Sequence, residues 1–249
     1  MLQDFFERVR KANLSLKPSK CQLGYDKVEF LGYTITGGTV GPKMSKITEI
    51  IEFNRPKTKK QVRSFLGMVN FYRRFIPSCA ELSAPLSDLT KKGGSNFVQW
   101  GEKQEEAFNK LKQLLSRAPI LKLPNLELPY IIQSDASNTG IGASLFQEYE
   151  GVKHPICYIS RKLLPRECNY SVGEKECLAV VWSIIKLHRY VYGITFTLET
   201  DHKPLECLNK ESANNSRVIR WKMLLSEYSF QVKYIKGCDN VVADYLSRM

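Results

Sequence analysis

The chain has 249 residues, 43% hydrophobic and 25% charged, a balance that fits a globular protein of one to three small domains. No apolar run reaches the roughly 20 residues that span a bilayer, no signal-peptide stretch opens the chain, and seven scattered cysteines without a C-x-x-C pair argue against a disulfide framework or zinc site; an intracellular protein without a membrane partner is expected. The net charge of +12 is uneven: residues 1–124 carry 22 Lys/Arg against 11 Asp/Glu, and residues 125–249 carry 15 against 14, so a basic half suited to nucleic acid joins a near-neutral half.

In chain order, residues 1–16 read as a helix with Phe5, Phe6, Val9 and Leu14 as its apolar positions, and 28-VEFLGYTITGGTV-40 reads as a β-hairpin turning at Gly37-Gly38. A short helix over 44–53 stops before Pro56. In 58-TKKQVRSFLGMVNFYRRFIP-77, Thr58 and Gln61 form a capping box. Val62, Phe65, Leu66, Val69, Tyr72 and Ile76 recur at helical spacing and belong to a core. Lys60, Arg63, Gly67, Asn70 and Arg74 then share an arc of roughly 80° on the opposite face. That stripe is either a solvated surface or a track for a phosphate backbone, with the glycine allowing close approach. Two further helices follow at 80–92 and 102–117, and 118-APILKLPNLELP-129, with three prolines, reads as a linker with a boundary near residue 124.

The second half alternates elements. Strands are expected at 128–134, 141–149 and 153–160, a helix at 172–190, a strand at 194–200, helices at 203–209 and 216–227, a strand at 229–235 and a closing helix at 239–248. This order describes a mixed sheet with helices on its faces. Asp135 closes the first strand and Asp201 closes that at 194–200. Glu174 and Glu176 open the long helix about 200° apart, so only one can face the sheet. Asp244 lies beside Val241, Val242 and Leu246. Singly, each acid has an ordinary role, such as a helix dipole or a turn. Gathered together they would repel and need cations, and all-oxygen ligands select Mg²⁺ or Mn²⁺.

The segments 19-SKCQLG-24, 28-VEFLGYTIT-36, 61-QVRSFLGMVNFYRRFIP-77, 134-SDAS-137, 170-YSVGEKECLAVVW-182, 200-TDHKPL-205 and 240-NVVADYLSR-248 resemble, in order, the reverse transcriptases of gypsy-type long-terminal-repeat retrotransposons. The resemblance implies an α/β chain: residues 1–43 as the end of the palm with a primer-grip-like hairpin, 44–124 as a helical thumb and connection, and 125–249 as a ribonuclease H-like domain with a mixed five-stranded sheet. It implies an endoribonuclease that hydrolyses the RNA strand of RNA–DNA hybrids with two Mg²⁺ ions, which Mn²⁺ can replace. Its four metal-binding acids fall on Asp135, Glu176, Asp201 and Asp244; Glu176 is preferred to Glu174 because Cys177-Leu178-Ala179 follows it directly. Ser137 and Asn138 fall beside the metals as candidate readers of the RNA strand. Where relatives often carry a histidine before the last acid, this chain has Tyr234. The polymerase aspartates of the family would lie upstream of Met1, so polymerisation by this chain alone is not expected. Implied partners are the hybrid duplex and the rest of the Pol polyprotein, including palm, fingers and integrase. The implied setting is the cytoplasm, a virus-like particle or the nucleus. The competing readings are a non-catalytic duplex-binding fragment and a structural subunit.

Overall fold

The computed structural model describes residues 2–21, 23–91, 93, 95–200 and 216–235. The first helix, α1 (Leu2–Lys11), is shorter than the expected 1–16 and buries none of its residues. Residues 27–42 form a three-stranded antiparallel meander, β1 (Lys27–Phe30), β2 (Tyr33–Thr36) and β3 (Thr39–Pro42), where the sequence suggested one hairpin. The extra turn falls at Leu31-Gly32. Gly32 has φ of 82°, and a Cβ there would come within 3.0 Å of the Phe71 ring, so the turn needs glycine on both counts.

α2 (Met44–Ile51) precedes α3 (Lys59–Phe71), whose Thr58–Gln61 capping box is formed as expected. Val62, Phe65, Leu66, Val69, Tyr72 and Ile76 are all buried. α3 ends at Phe71, however, and Arg73–Phe75 is a 3₁₀ turn. The expected helix at 80–92 is instead two short ones, α4 (Cys79–Leu82) and α5 (Ala84–Asp88), the second starting with Pro85 in its first turn. Proline has no N–H for a continuing helix and suits a first turn instead. α6 (Glu102–Ser116) buries Ala107, Phe108, Leu111 and Leu115. Phe108 meets Phe65 at 4.6 Å between ring centroids, near the centre of this first core.

The proline-rich segment is not a free linker. β4 (Leu121–Lys122) pairs with β3, placing fully buried Leu121 in the first core. The chain then enters β5 (Tyr130–Ala136), β6 (Gly140–Tyr149) and β7 (Val152–Lys162). A short helix α7 (Pro165–Cys168) leads to α8 (Val172–Lys186) and α9 (His188–Val191), followed by β8 (Thr195–Thr200), α10 (Ser216–Leu225) and β9 (Ser229–Tyr234). The five strands lie in the order β7-β6-β5-β8-β9. The β5–β6 and β6–β7 pairs are antiparallel, and the β5–β8 and β8–β9 pairs are parallel. This is the expected mixed sheet. The anticipated helices at 203–209 and 239–248 lie outside the described residues.

α8 supplies Cys177, Leu178, Ala179, Val181 and Ile184 to a second core beneath β5 and β6. β7 serves both cores, since its buried Tyr158 packs among the helices of the first. Cys79 and Cys157 are buried, which pushes each thiol up to about 11, so both stay protonated and pack as small apolar groups.

Candidate active site

Asp135 sits one residue before the end of β5, the central strand, opposite Gly142 of β6. Its carboxylate is buried, with 9% of the residue's surface exposed. Side chains alternate along a strand, so Gln133 and Asp135 share a face. Beneath Asp135 on that face, Gln133 Nε2 donates to Glu199 Oε2 of β8 over 2.7 Å, and Lys153 Nζ binds the same carboxylate at 2.6 and 2.8 Å. Burial alone would push the Glu199 carboxyl up. The bonds from Lys153 and Gln133 and the charges of Lys153 and Lys233 outweigh that and hold it below the usual range.

The two glutamates of α8 have different surroundings. Glu174 completes a capping box with Ser171, accepting from its backbone N–H at 3.0 Å, and pairs with Arg217 Nη1 at 2.9 Å. The Arg217 guanidinium also stacks on Tyr170, 3.9 Å from the ring centroid. Glu176 is buried, with 6% exposure, on a helix that packs against β5. Asp201 follows Thr200, the last residue of β8, directly in the chain; Asp201 and Asp244 lie outside the described residues. Among the described residues no three His, Cys, Asp or Glu side chains form a cluster able to hold a metal. Asp135 and Glu176 offer two buried carboxylates on adjacent elements, an all-oxygen donor set whose chemistry fits a hard divalent ion.

The turn after Asp135 is ordered by its own side chains. Ser137 N–H donates to Gly140 O at 2.8 Å, and Ser137 Oγ accepts from the Gly140 and Thr139 amides at 3.0 and 3.3 Å. A Cβ on Gly140 would stand 3.2 Å from Arg161 O, so a side chain there would press on the backbone of β7. Asn138 accepts from Lys175 Nζ of α8 at 3.3 Å. Glu81 reaches the turn from α4, accepting from Thr139 Oγ1 at 3.1 Å. Burial pushes its carboxyl up, against the lowering effect of the Thr139 and Ser137 bonds. Nothing in the spacing around 79-CAELSAP-85 marks Glu81, because its partners lie more than 50 residues away.

Of the stripe on α3, Lys60, Arg63, Gly67 and Asn70 are exposed, and a Cβ on Gly67 would meet nothing within 4 Å. Arg63 Nη2 donates to Thr90 O at 3.2 Å. Arg74 does not belong to the stripe. It falls in the 3₁₀ turn beyond the helix and donates from Nη2 to Ile156 O of β7 at 3.3 Å. The tighter winding after Phe71 moves it off the arc that a continuous helix would give.

The chain matches the family model described as the RNase H-like domain found in reverse transcriptase over residues 100–198. It is 40% identical over 248 residues, covering all of this chain, to the retrovirus-related Pol polyprotein from transposon 297 of Drosophila melanogaster. It is 32% identical over 253 residues to the transposon Tf2-3 polyprotein of Schizosaccharomyces pombe. It spans only 23% and 19% of those polyproteins. Among solved structures, it superposes with a TM-score of 0.80 on the foamy viral protease-reverse transcriptase in complex with RNA/DNA hybrid, at 22% identity, covering all of this chain and 34% of the other. A second foamy viral structure, a protease-reverse transcriptase dRH in complex with double-stranded DNA, gives 0.80 at 24% identity, with 95% and 42% coverage. These two share the fold of the chain. Sequence and architecture agree, and the chain belongs to the reverse transcriptase–ribonuclease H region of long-terminal-repeat retrotransposon Pol polyproteins.

Proposed function

We propose that this chain is a divalent-metal-dependent endoribonuclease that cuts the RNA strand of RNA–DNA hybrids, with the helical first half gripping the duplex. The observation that carries this reading is a pair of buried carboxylates, Asp135 and Glu176, on the central strand and the adjoining helix of a ribonuclease H-like domain. Two carboxylates on packed elements supply the hard oxygen donors that such an ion takes. Asp135 and Glu176 would hold Mg²⁺ or Mn²⁺, with Asp201 and Asp244 completing the set. When bound, such ions supply activation of a water and stabilisation of a departing 3′ oxygen.

The chain's own residues do the rest. The Ser137–Gly140 turn stands directly after Asp135, where its polar side chains would read the 2′-hydroxyls that mark an RNA strand. Lys60 and Arg63 offer charge to a phosphate backbone, and Gly67 leaves space for its approach. No helix among the described residues is long and apolar enough to cross a membrane.

The test is cleavage of an end-labelled hybrid by the pure chain in Mg²⁺ and in Mn²⁺, with duplex DNA as control. Hybrid should be cut and duplex DNA should not. Asp135→Asn should abolish cutting while hybrid binding persists. Binding without cleavage in either metal would replace the nuclease by a duplex-binding module, and cleavage retained by Asp135→Asn would overturn the metal assignment.

A further inference from the structure

The β5–β6 turn is held from two sides by different parts of the molecule. On one side Lys175 of α8 donates to Asn138 Oδ1. On the other, Glu81 of α4 accepts from Thr139 Oγ1 at 3.1 Å and lies 3.5 Å from Ser137 Oγ. The Ser137 hydroxyl is also 3.2 Å from Gly140 O, and its single proton serves one acceptor at a time; the Thr139 bond is the firmer tether. Glu81 and Asp135 both line a cavity of about 10 Å³, room for about one water. Among the described residues, no other acid lines that cavity with them.

The helical side of this junction is itself fixed to the sheet. Ala80 N–H donates to Ser160 Oγ at 3.0 Å, and Lys162 Nζ reaches Ala84 O at 3.2 Å and Asp88 Oδ1 at 3.1 Å. Arg73 Nη2 bonds Ser160 O. Glu81 therefore projects from a rigid ledge rather than from a loop. A half-buried carboxylate is an unfavourable choice for plain packing, and an acceptor of two neighbouring hydroxyls is a good choice for fixing them.

We propose that Glu81 is a positioning residue for hybrid cleavage, holding the Ser137–Gly140 turn at a set offset from Asp135 so that the helical half helps decide which phosphodiester is presented. This rests on the nuclease reading above. A misplacement of the order of 1 Å at a reacting group is enough for large rate losses, and the turn begins two residues from Asp135.

The experiment uses the full chain with Glu81→Ala and Glu81→Gln, one labelled hybrid of fixed sequence, and amide hydrogen exchange without nucleic acid. Glu81→Ala should lower kcat about tenfold with KM for hybrid within about twofold, the pattern of lost transition-state geometry. It should also spread the cleavage ladder onto neighbouring phosphates and speed exchange at the Thr139 and Gly140 amides. Glu81→Gln keeps an acceptor oxygen and should restore both ladder and kcat. An alanine variant with wild-type ladder and kcat overturns the proposal, as does a glutamine variant no better than alanine. A wild-type chain that cuts no hybrid overturns the nuclease reading instead, and the exchange rates then decide alone whether Glu81 holds the turn.

Discussion

Gln133 of β5 donates to Glu199 of β8 over 2.7 Å, tying the two central parallel strands together two residues before Asp135. Both side chains are buried, and Lys153 supplies the countercharge from β7. The pair is a polar bolt through the middle of the sheet. Removing either end leaves a desolvated partner, which costs more than the bond itself contributes.

The Glu199 carboxyl is depressed in the folded chain, which fixes the sign of its pH dependence. Its stabilisation is complete above the unfolded carboxyl value of about 4.3 and is lost as pH falls through the lower, folded value. Glu199→Gln should lower stability at pH 7 by about 1–3 kcal/mol and flatten the fall in stability between about pH 5 and pH 3. Urea midpoints measured across that range check this; an equally steep fall in the variant would count against it.

Glu174 and Glu176 should separate cleanly. Glu174→Ala removes the capping box and the Arg217 pair and should cost about 1 kcal/mol of stability, with hybrid cleavage intact. Glu176→Gln, which keeps the side chain's size and an acceptor oxygen, should abolish Mg²⁺-dependent cleavage while the chain stays folded. Paired thermal melts and hybrid assays give both readouts.

Replacing Lys60 and Arg63 together with alanine should weaken duplex binding irrespective of sequence. The slope of log affinity against log salt should fall by about 1 for each phosphate that the variant no longer neutralises. Arg74→Ala should behave differently, lowering stability by removing the bond to Ile156 O with little change in slope. Filter-binding titrations over a salt series distinguish the two; an unchanged slope for the double variant returns the stripe to ordinary solvated surface.

Phe65 is fully buried and packs between the tilted rings of Phe53 and Phe108. Phe65→Ala should cost about 3–5 kcal/mol, read by urea denaturation. A loss below about 1 kcal/mol would mean that the helices close over the space.

Periodicity made α3 legible because its apolar face repeats every three to four residues and its cap is local. The strands expected at 128–134, 141–149 and 153–160 likewise match β5, β6 and β7 to within a few residues. What the sequence hid depends on distant partners. Arg74 looked like a member of the α3 stripe, but the chain tightens after Phe71, and no local signal announces that change. Two residues of β4 are too few to show alternation, and only their pairing with β3 makes them a strand. Glu81 gains its meaning from hydroxyls 56 and 58 residues away. The Glu174 ambiguity was different in kind, since a helix wheel shows that the two acids diverge but not which one turns inward.

The stretch rich in proline between the halves is pinned at both ends. Leu121 and Lys122 are hydrogen-bonded into the first sheet, Leu123 N–H donates to Gly38 O, and a few residues on, Asn125 and Leu128 are hydrogen-bonded to the side chain of Gln147 in the second. Lengthening such a stretch by insertion would not give a longer leash. The added residues would have to bulge out between two fixed anchorages, and the halves would keep their spacing until one anchorage tore loose.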